Sequence, residues 1–358
     1  MKIFLVGSGH VYAIENFYTA YMREEGADIY HFPALKMFAD FYYGSLVNKL
    51  VFRAGISSIY PKINRGFKEA VLSFQPDVIW VVKGMEIYPS SLLWAKDKKI
   101  KLVNYNPDNP FIFTGRGSGN KNITKSVSLY DLHFAYSFTV QKKIEDEFHI
   151  PTSFLPFGFD LSQETYNSCA VETEIEKTCF LGNPDKQRAA FLMSLADRGI
   201  AIDVYGNKWN KFVQHPNITI FPPVIYGIEL WKILRKYRVQ LNLMRIHNLD
   251  SHNMRSFEVP AIGGIMLAPD TKEHRMFFEN EKEVFLFTNA ETCVHQIKKI
   301  LSLSSGDAGR IRENARRRSL DSGYSYKNRA HFALARIRTL CGMQEKLPAN
   351  NIEITNFL

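Results

Sequence analysis

The chain has 358 residues, 46% hydrophobic and 23% charged, a balance that excludes a disordered or fibrous polymer and leaves length for two domains, each with its own core. A formal net charge of +9 fits an anionic partner such as nucleotide phosphates, an acidic membrane surface or nucleic acid, and equally fits basic residues that only solvate exposed helices. Cys169, Cys179, Cys293 and Cys341 are widely spaced and form no CxxC pair, which argues against a disulfide framework or a structural zinc, and no run approaches the ~20 apolar residues of a membrane span.

Short apolar runs alternate with amphipathic stretches along most of the chain. Lys2–Val6 reads as a buried strand that stops at Gly7, too early for a signal-peptide core, and a helix follows to about Arg23. Further strands are expected at Asp28–Phe32, Asp77–Val82, Lys101–Tyr105 and Leu132–Tyr136, the last followed by a charged helix through Phe148. From Phe154 to about Ile175 the composition turns polar, which marks the interdomain crossing. The alternation then restarts: strands at Thr178–Leu181, Ala201–Tyr205, Ile218–Phe221, Val239–Leu243, Ile265–Ala268 and Val284–Thr288, with helices at Gln187–Asp197, Arg255–Ile262, about 290–303 and about 308–320. A last helix is expected over about 326–340. Strands separated by helices point to parallel α/β units. The expected domains are 1–155 and 176–325, two doubly wound Rossmann-like halves. In such sheets ligands bind beyond the carboxyl ends of the strands, so the site is expected in a central cleft that the halves face.

Three stretches could carry chemistry. Gly7-Ser8-Gly9-His10 follows the first strand, where glycines let the backbone turn sharply beside a ligand. It is a poor dinucleotide fingerprint, because Tyr12 stands where the third glycine belongs. His10 reads as a substrate contact, a base or a turn residue. At the end of the fourth strand, Asn104-Tyr105-Asn106-Pro107-Asp108-Asn109-Pro110 fixes the backbone with two prolines. Asp108 is either held at the active face or engaged in a local Asx turn. Lys83-Gly84 lies on the same edge, where Lys83 could meet a phosphate or an acceptor. The third stretch, Asn248 to Gly264, places a short helix between two strands. Its amides near Asn253 would suit a diphosphate. Arg255 and Glu258, three apart, share one face; an arginine can neutralise phosphate and a carboxylate can take two sugar hydroxyls, while a plain surface ion pair is the alternative.

The run RSFEVPAIGGIMLAPDTKEHRMFF resembles the donor-binding segment of group 1 glycosyltransferases, in the branch named for a spore-maturation protein. The R-x-F-E-x-x-x-x-G-G pattern is met by Arg255, Phe257, Glu258, Gly263 and Gly264, and the following Glu-His pair by Glu273 and His274. The resemblance extends to the VVKG, NPDNP and YSYKNR stretches. It implies a GT-B fold, transfer of sugar from a nucleotide-sugar donor, no cofactor and no metal. It also implies that the C-terminal helix, 326–342, can cross back to the N-terminal domain. Asp250 and Glu258 match the acid-x7-Glu spacing of related retaining enzymes, where the second acid binds the ribose and the first contacts the sugar; Asp250 departs from the usual Glu. Lys186 and Arg188, just after Gly182, and Arg245 are the diphosphate candidates. Gly7, Gly9, Lys83 and Asn109 fall on the acceptor side, with His10 and Asp108 as candidate bases.

Breaking a sugar–phosphate bond leaves charge on the diphosphate, which fixed cations and helix-end amides stabilise as it develops. The acceptor hydroxyl would belong to a glycan, a lipid-linked molecule or a protein. A cytoplasmic enzyme is expected, with peripheral contact to the inner membrane face open to it. A sugar-nucleotide epimerase of the same fold would share the donor site without needing an acceptor. The basic run Arg310, Arg312, Arg316, Arg317, Arg318, continued by Lys327 and Arg329, reads as a solvated face, a membrane contact or a nucleic-acid surface; no nucleic-acid partner is expected.

Overall fold

A computed structural model of the chain describes residues 1–115, 117–170, 173–221 and 225–343. The chain forms two units, Met1–Pro156 with Tyr326–Leu358, and Phe157–Ser325.

The first unit runs β1 (Lys2–Val6), α1 (Ile14–Glu24), β2 (Asp28–Phe32), α2 (Ala34–Gly44), α3 (Leu46–Arg53), α4 (Ile59–Phe74), β3 (Val78–Val82), α5 (Pro89–Asp97), β4 (Lys101–Asn106), α6 (Lys121–Ser126), β5 (Leu132–Ala135), α7 (Phe138–Phe148) and β6 (Thr152–Phe154). Its six strands are parallel in the order β2-β1-β3-β4-β5-β6. Because both faces are covered, β1 and β3 are near-continuous apolar runs rather than alternating. Phe4, Ile79 and Val81 join Ile63, Phe67 and Val71 of α4 on one face. On the other, Trp80 and Tyr105 pack edge-on against Tyr18 of α1 at ring-centroid distances of 5.3 and 6.0 Å.

The second unit runs α8 (Gln163–Ala170), β7 (Ile175–Leu181), α9 (Lys186–Ala196), β8 (Ile202–Tyr205), β9 (Ile218–Phe221), α10 (Gly227–Lys236), β10 (Tyr237–Leu241), α11 (Arg255–Ala261), β11 (Met266–Pro269), α12 (Lys272–Phe277), β12 (Phe285–Phe287), α13 (Ala290–Leu301) and α14 (Ser305–Asp321). Its parallel sheet is ordered β12-β11-β10-β7-β8-β9. Leu192 and Leu195 of α9 and Cys293, Ile297 and Ile300 of α13 close one face over Val204, Val239 and Leu241. Ile233 of α10 packs with Cys179, Tyr205 and Tyr237 on the other.

The last helix, α15 (Tyr326–Leu340), belongs to the first unit. Tyr326 stacks on Phe17 of α1 at 4.8 Å, and Arg338 donates to the Glu25 carbonyl at 3.0 Å.

The division between the units falls near the start of the polar stretch expected to hold the crossing. Phe154 still ends a strand, the units divide between Pro156 and Phe157, and the residues beyond fold into α8 of the second unit. The guanidinium of Arg316 lies 3.4 Å over the ring of Tyr166, which gives this polar helix a partner.

Candidate functional site

Counting the strands of the second unit from its own first, the sheet order is 3-2-1-4-5-6 read from the β9 edge. The chain therefore reverses direction between β7 and β10, and a crevice opens past the carboxyl ends of these two strands. β7 leads into Gly182-Asn183-Pro184. The Gly182 amide donates to the Tyr205 carbonyl at 3.0 Å, and its own carbonyl accepts from Trp209 Nε1 at 2.8 Å. A Cβ on Gly206 (φ +146°) would stand 2.4 Å from the Gly182 oxygen, so β7 and β8 close together only over a glycine.

Arg188 crosses this switch point. Its Nη2 donates to the Leu243 carbonyl at 2.6 Å, Nη1 to that of Asn183 at 3.1 Å and Nε to that of Met244 at 3.4 Å. Burial brings its pKa down to about 10, against the pull of Asp185, and the charge of Arg245 lowers it further; it remains a cation at neutral pH. These backbone bonds occupy three of the five N–H groups of Arg188, one of the residues expected to meet the diphosphate. Its donors tie the end of β10 to the loop after β7, and Asp185 caps α9 by accepting from the Arg188 amide at 2.9 Å. Lys186 and Arg245 are exposed, and among the described residues the Arg245 side chain makes no hydrogen bond or ion pair.

Past β10, a buried polar network holds the loop that carries the candidate acids. Asn242 donates to Ser256 Oγ at 3.1 Å and accepts from Asn253 Nδ2 at 2.7 Å. Ser256 Oγ lies 2.8 Å from His274 Nε2, and His274 Nδ1 lies 2.8 Å from the Pro269 carbonyl. A carbonyl only accepts, so Nδ1 carries the proton and Nε2 accepts from the serine. Burial holds the His274 pKa down to about 4, so the ring is neutral. Next to it, Glu273 accepts from Ser251 Oγ at 2.6 Å and from His252 Nδ1 at 2.5 Å, while His252 Nε2 accepts the Phe157 amide at 3.2 Å. The rings of Phe157, Phe257 and Phe277 stand edge-on around His252 at 5.6, 5.3 and 5.1 Å. Asn253, expected to meet the donor, is a bracket of this network. Nothing in the sequence singles out His252; a histidine on one loop and a glutamate 21 positions away show no pairing before they fold.

α11 has only seven residues. Its amides at Ser256, Phe257 and Glu258 bond back to Asn253 and Met254, so the open amide row expected there is not present at these three positions. Arg255 Nη1 donates to Glu258 Oε2. The glutamate side chain is 7% exposed and the arginine 23%, so this is a largely enclosed pair rather than a surface one. Arg255 Nε is enclosed with no partner among the described residues. Asp250 is exposed in the turn before the loop. Gly264 is needed because a Cβ there would fall 2.6 Å from the Leu234 carbonyl of α10.

The first unit has strand order 2-1-3-4-5-6 and its own switch point between β1 and β3. Here the glycines answer to packing: a Cβ on Gly7 would lie 2.8 Å from both Glu15 Oε1 and His31 Nε2, and one on Gly9 2.6 Å from Pro33. His10 is exposed and sits in a turn, its carbonyl accepting from Asn16 Nδ2 at 2.7 Å and its Nδ1 from the Tyr12 amide at 3.3 Å. Lys83 Nζ donates to Asp108 Oδ2 at 2.8 Å and to the Gly117 carbonyl at 2.7 Å. The Asx turns of this loop come from Asn106, accepting the Asp108 amide at 3.1 Å, and from Asn109, accepting the Phe111 amide at 2.9 Å. Asp108 itself pairs with Lys83, so the candidate base and the candidate cation of this edge meet each other. Glu86, which no sequence pattern marks, is 6% exposed at this edge, and burial raises its pKa to about 7 against the opposing charge of Lys83.

The basic run on α14 is only in part an open face. Arg310 pairs with Asp307 and Arg312 with Glu174, Arg316 donates to the Ala261 carbonyl at 2.7 Å, Arg317 to Asn314 Oδ1 at 2.7 Å and Arg318 to the Phe277 carbonyl at 2.9 Å. Arg312, Arg316 and Arg318 tie the helix to other parts of its own unit, while Arg310 and Arg317 bond within the helix and stay exposed. Among the described residues no group of three or more His, Cys, Asp or Glu is arranged to hold a metal ion, and no helix is long and apolar enough to cross a membrane.

Residues 186–335 match the family model described as glycosyl transferase-like; none of the curated proteins matches the chain. Among solved structures, the chain is similar to a glycosyltransferase from Rickettsia africae, at 14% identity over 95% of this chain and 98% of that one with a TM-score of 0.64. It is similar to Anabaena HepE in complex with UDP-glucose, at 12% identity over 95% and 100% with a TM-score of 0.63. It is also similar to a UDP-GlcNAc 2-epimerase from Neisseria meningitidis bound to UDP-GlcNAc, at 12% identity over 95% and 100% with a TM-score of 0.54. Likeness at such identities establishes the fold alone, and that fold is GT-B: two Rossmann-like units, each with a six-stranded parallel sheet.

Proposed function

We propose that this glycosyltransferase binds a nucleotide-sugar donor at the β7/β10 switch point and transfers its sugar to a hydroxyl of a glycan, lipid-linked or protein acceptor. The carrying observation is that the glycosyl transferase-like match over 186–335 contains the end of β10, the start of α9 and the Arg255–Glu258 pair, all at that crevice. The similar HepE and epimerase structures hold UDP-glucose and UDP-GlcNAc, which makes a uridine nucleotide the first donor to test.

In this reading Glu258 accepts from the ribose hydroxyls, and Lys186 and Arg245 meet the diphosphate as it gains charge. Asp250, at the acid-x7-Glu spacing, contacts the sugar, which favours retention. The Arg255-Phe257-Glu258 and Gly263-Gly264 pattern supports a reading in the spore-maturation-like branch of group 1. No divalent ion is needed, because fixed cations serve the leaving group.

The test is calorimetric titration with UDP, UDP-glucose and UDP-GlcNAc, followed by incubation of the bound donor with and without acceptors. Binding with acceptor-dependent release of UDP is the expected result. Conversion of the donor sugar without acceptor would make the protein an epimerase, and failure of every nucleotide to bind would end the reading.

A further inference from the structure

The α2–α3 hairpin of the first unit has two unlike sides. Inside, Phe38, Tyr42, Phe52 and Tyr60 pack ring on ring, with Phe38–Phe52 at 4.8 Å and Phe38–Tyr60 at 5.6 Å. The hairpin is therefore a packed element and not a frayed one. Outside, Tyr43, Leu46, Val47, Leu50 and Ile56 are 64–75% exposed, and α3 buries no residue of its own. Five large apolar side chains within fourteen positions form a cluster, unlike the scattered single apolar residues of an ordinary surface.

The charge around the cluster has one sign. Between Asp40 and Glu69 the sequence has no acidic residue, and it carries Lys49, Arg53, Lys62, Arg65 and Lys68. Arg53, Lys62 and Arg65 are exposed, and Lys49 Nζ lies 5.3 Å over the Tyr43 ring. A second copy of this chain would bring the same basic residues, Lys49 and Arg53 among them, against these, which opposes self-pairing. A surface that is negative and apolar just beneath fits both features. Lipid headgroups attract the basic fringe while short apolar side chains enter the boundary with the acyl chains.

We propose that the α2–α3 hairpin and the loop to Ile56 dock the first unit onto an anionic lipid bilayer. Leu46, Val47, Leu50 and Ile56 enter the headgroup–acyl boundary, and Lys49, Arg53 and Lys62 lie on the lipid phosphates. The surface is remote in sequence from the donor residues, and the proposal stands independently of the sugar-transfer reading.

The test is co-sedimentation of the full chain with vesicles of phosphatidylcholine alone or mixed with phosphatidylglycerol. Wild type is expected to bind the mixed vesicles and to be released as salt is raised well past the ~0.15 M at which screening reaches about 8 Å. Leu46→Ser with Leu50→Ser should lower the partition coefficient at least roughly tenfold. Lys49→Gln with Arg53→Gln should lower it by about fivefold per charge removed, on the anionic vesicles only. Circular dichroism and UDP titration of each variant confirm that the fold and the donor site are intact. No binding to anionic vesicles, or binding that both double variants leave unchanged, overturns the proposal. So does a concentration-dependent dimer that the leucine changes abolish, which would give the face to a second copy.

Discussion

Glu258→Gln is the sharpest probe of the donor assignment, because glutamine keeps the shape and removes the charge. The structure sets two separate expectations. The substituted side chain can still accept from Arg255 through its amide oxygen, so the interaction weakens from an ion pair to a hydrogen bond with a neutral acceptor. With the carboxylate 7% exposed and the guanidinium 23%, the stability loss should be about 1 kcal/mol. If the same carboxylate accepts from the ribose, the nucleotide loses charge-assisted hydrogen bonds of about 1.5–3 kcal/mol, or roughly 10- to 150-fold in Kd. Arg255→Ala differs: it strips a largely buried carboxylate of its cation, costs more stability, and weakens UDP more than uridine if the guanidinium helps hold the diphosphate. Since the two side chains touch, their effects should be non-additive in a double-mutant cycle. The assay is calorimetric titration of both variants and the double variant with uridine and UDP, beside urea unfolding. A Glu258→Gln protein that is slightly less stable yet binds UDP as wild type does would reduce the pair to a structural contact and refute the assignment.

Glu273→Gln should cost about 3 kcal/mol in urea unfolding, since it leaves the buried Ser251 and His252 donors without their charged acceptor, and should also raise the UDP Kd by loosening the Asp250–Arg255 loop. An unchanged Kd at lowered stability would separate the triad from the site. Glu86 has its folded pKa raised from 4.5 to about 7 by burial, so the fold favours its neutral form; that contribution is complete below about pH 4.5 and lost as pH rises through 7. Glu86→Gln, permanently neutral, should therefore gain on wild type between about pH 5 and 8 by up to about 3 kcal/mol, and a pH-independent difference would contradict the burial argument. Turnover is expected to survive excess EDTA; loss restored by Mn²⁺ would show that a metal serves the leaving diphosphate.

The architecture is legible where strands are buried on both sides. Ile3-Phe4-Leu5-Val6 and Ile79-Trp80-Val81 are unbroken apolar runs because helices cover both faces of the sheet. Legibility fails where a buried charge imitates a surface. β10 begins at Tyr237, two positions before the alternating stretch Val239–Leu243 makes it visible, because Arg238, 2% exposed, looks like a helix end until Glu174 neutralises it. β6 is three residues long and carries Thr152 and Ser153, too little for any period. The arginines of α14 show the same limit from the other side: their spacing reads as a solvated stripe, yet Arg312 is buried and several others reach backbone carbonyls. Of the candidate site, Arg255 and Glu258 are recoverable from i,i+3 geometry. The Ser251–His252–Glu273 triad is not, because its members meet only through the tertiary fold.

Each sheet has a switch point, and charge decides which of the two suits a diphosphate. At that of the first unit, Glu15 is 2% exposed and accepts the Ser8 amide at 2.5 Å, Glu86 is 6% exposed, and the charge of Lys83 is met by Asp108 at 2.8 Å. Lys83 at that edge is already paired with a carboxylate, so it attracts an anion less than an unpaired cation would. At that of the second unit the signs are reversed. Lys186 and Arg245 are exposed, Arg188 stays positive behind them at a pKa of about 10, and Asp185 is engaged in capping α9. The start of α9 adds its own positive end at the same strand edge. A neutral hydroxyl acceptor needs no such cation at the first switch point. The proposed division of labour between units, donor on the second and acceptor on the first, is in keeping with where the fold leaves its bases open.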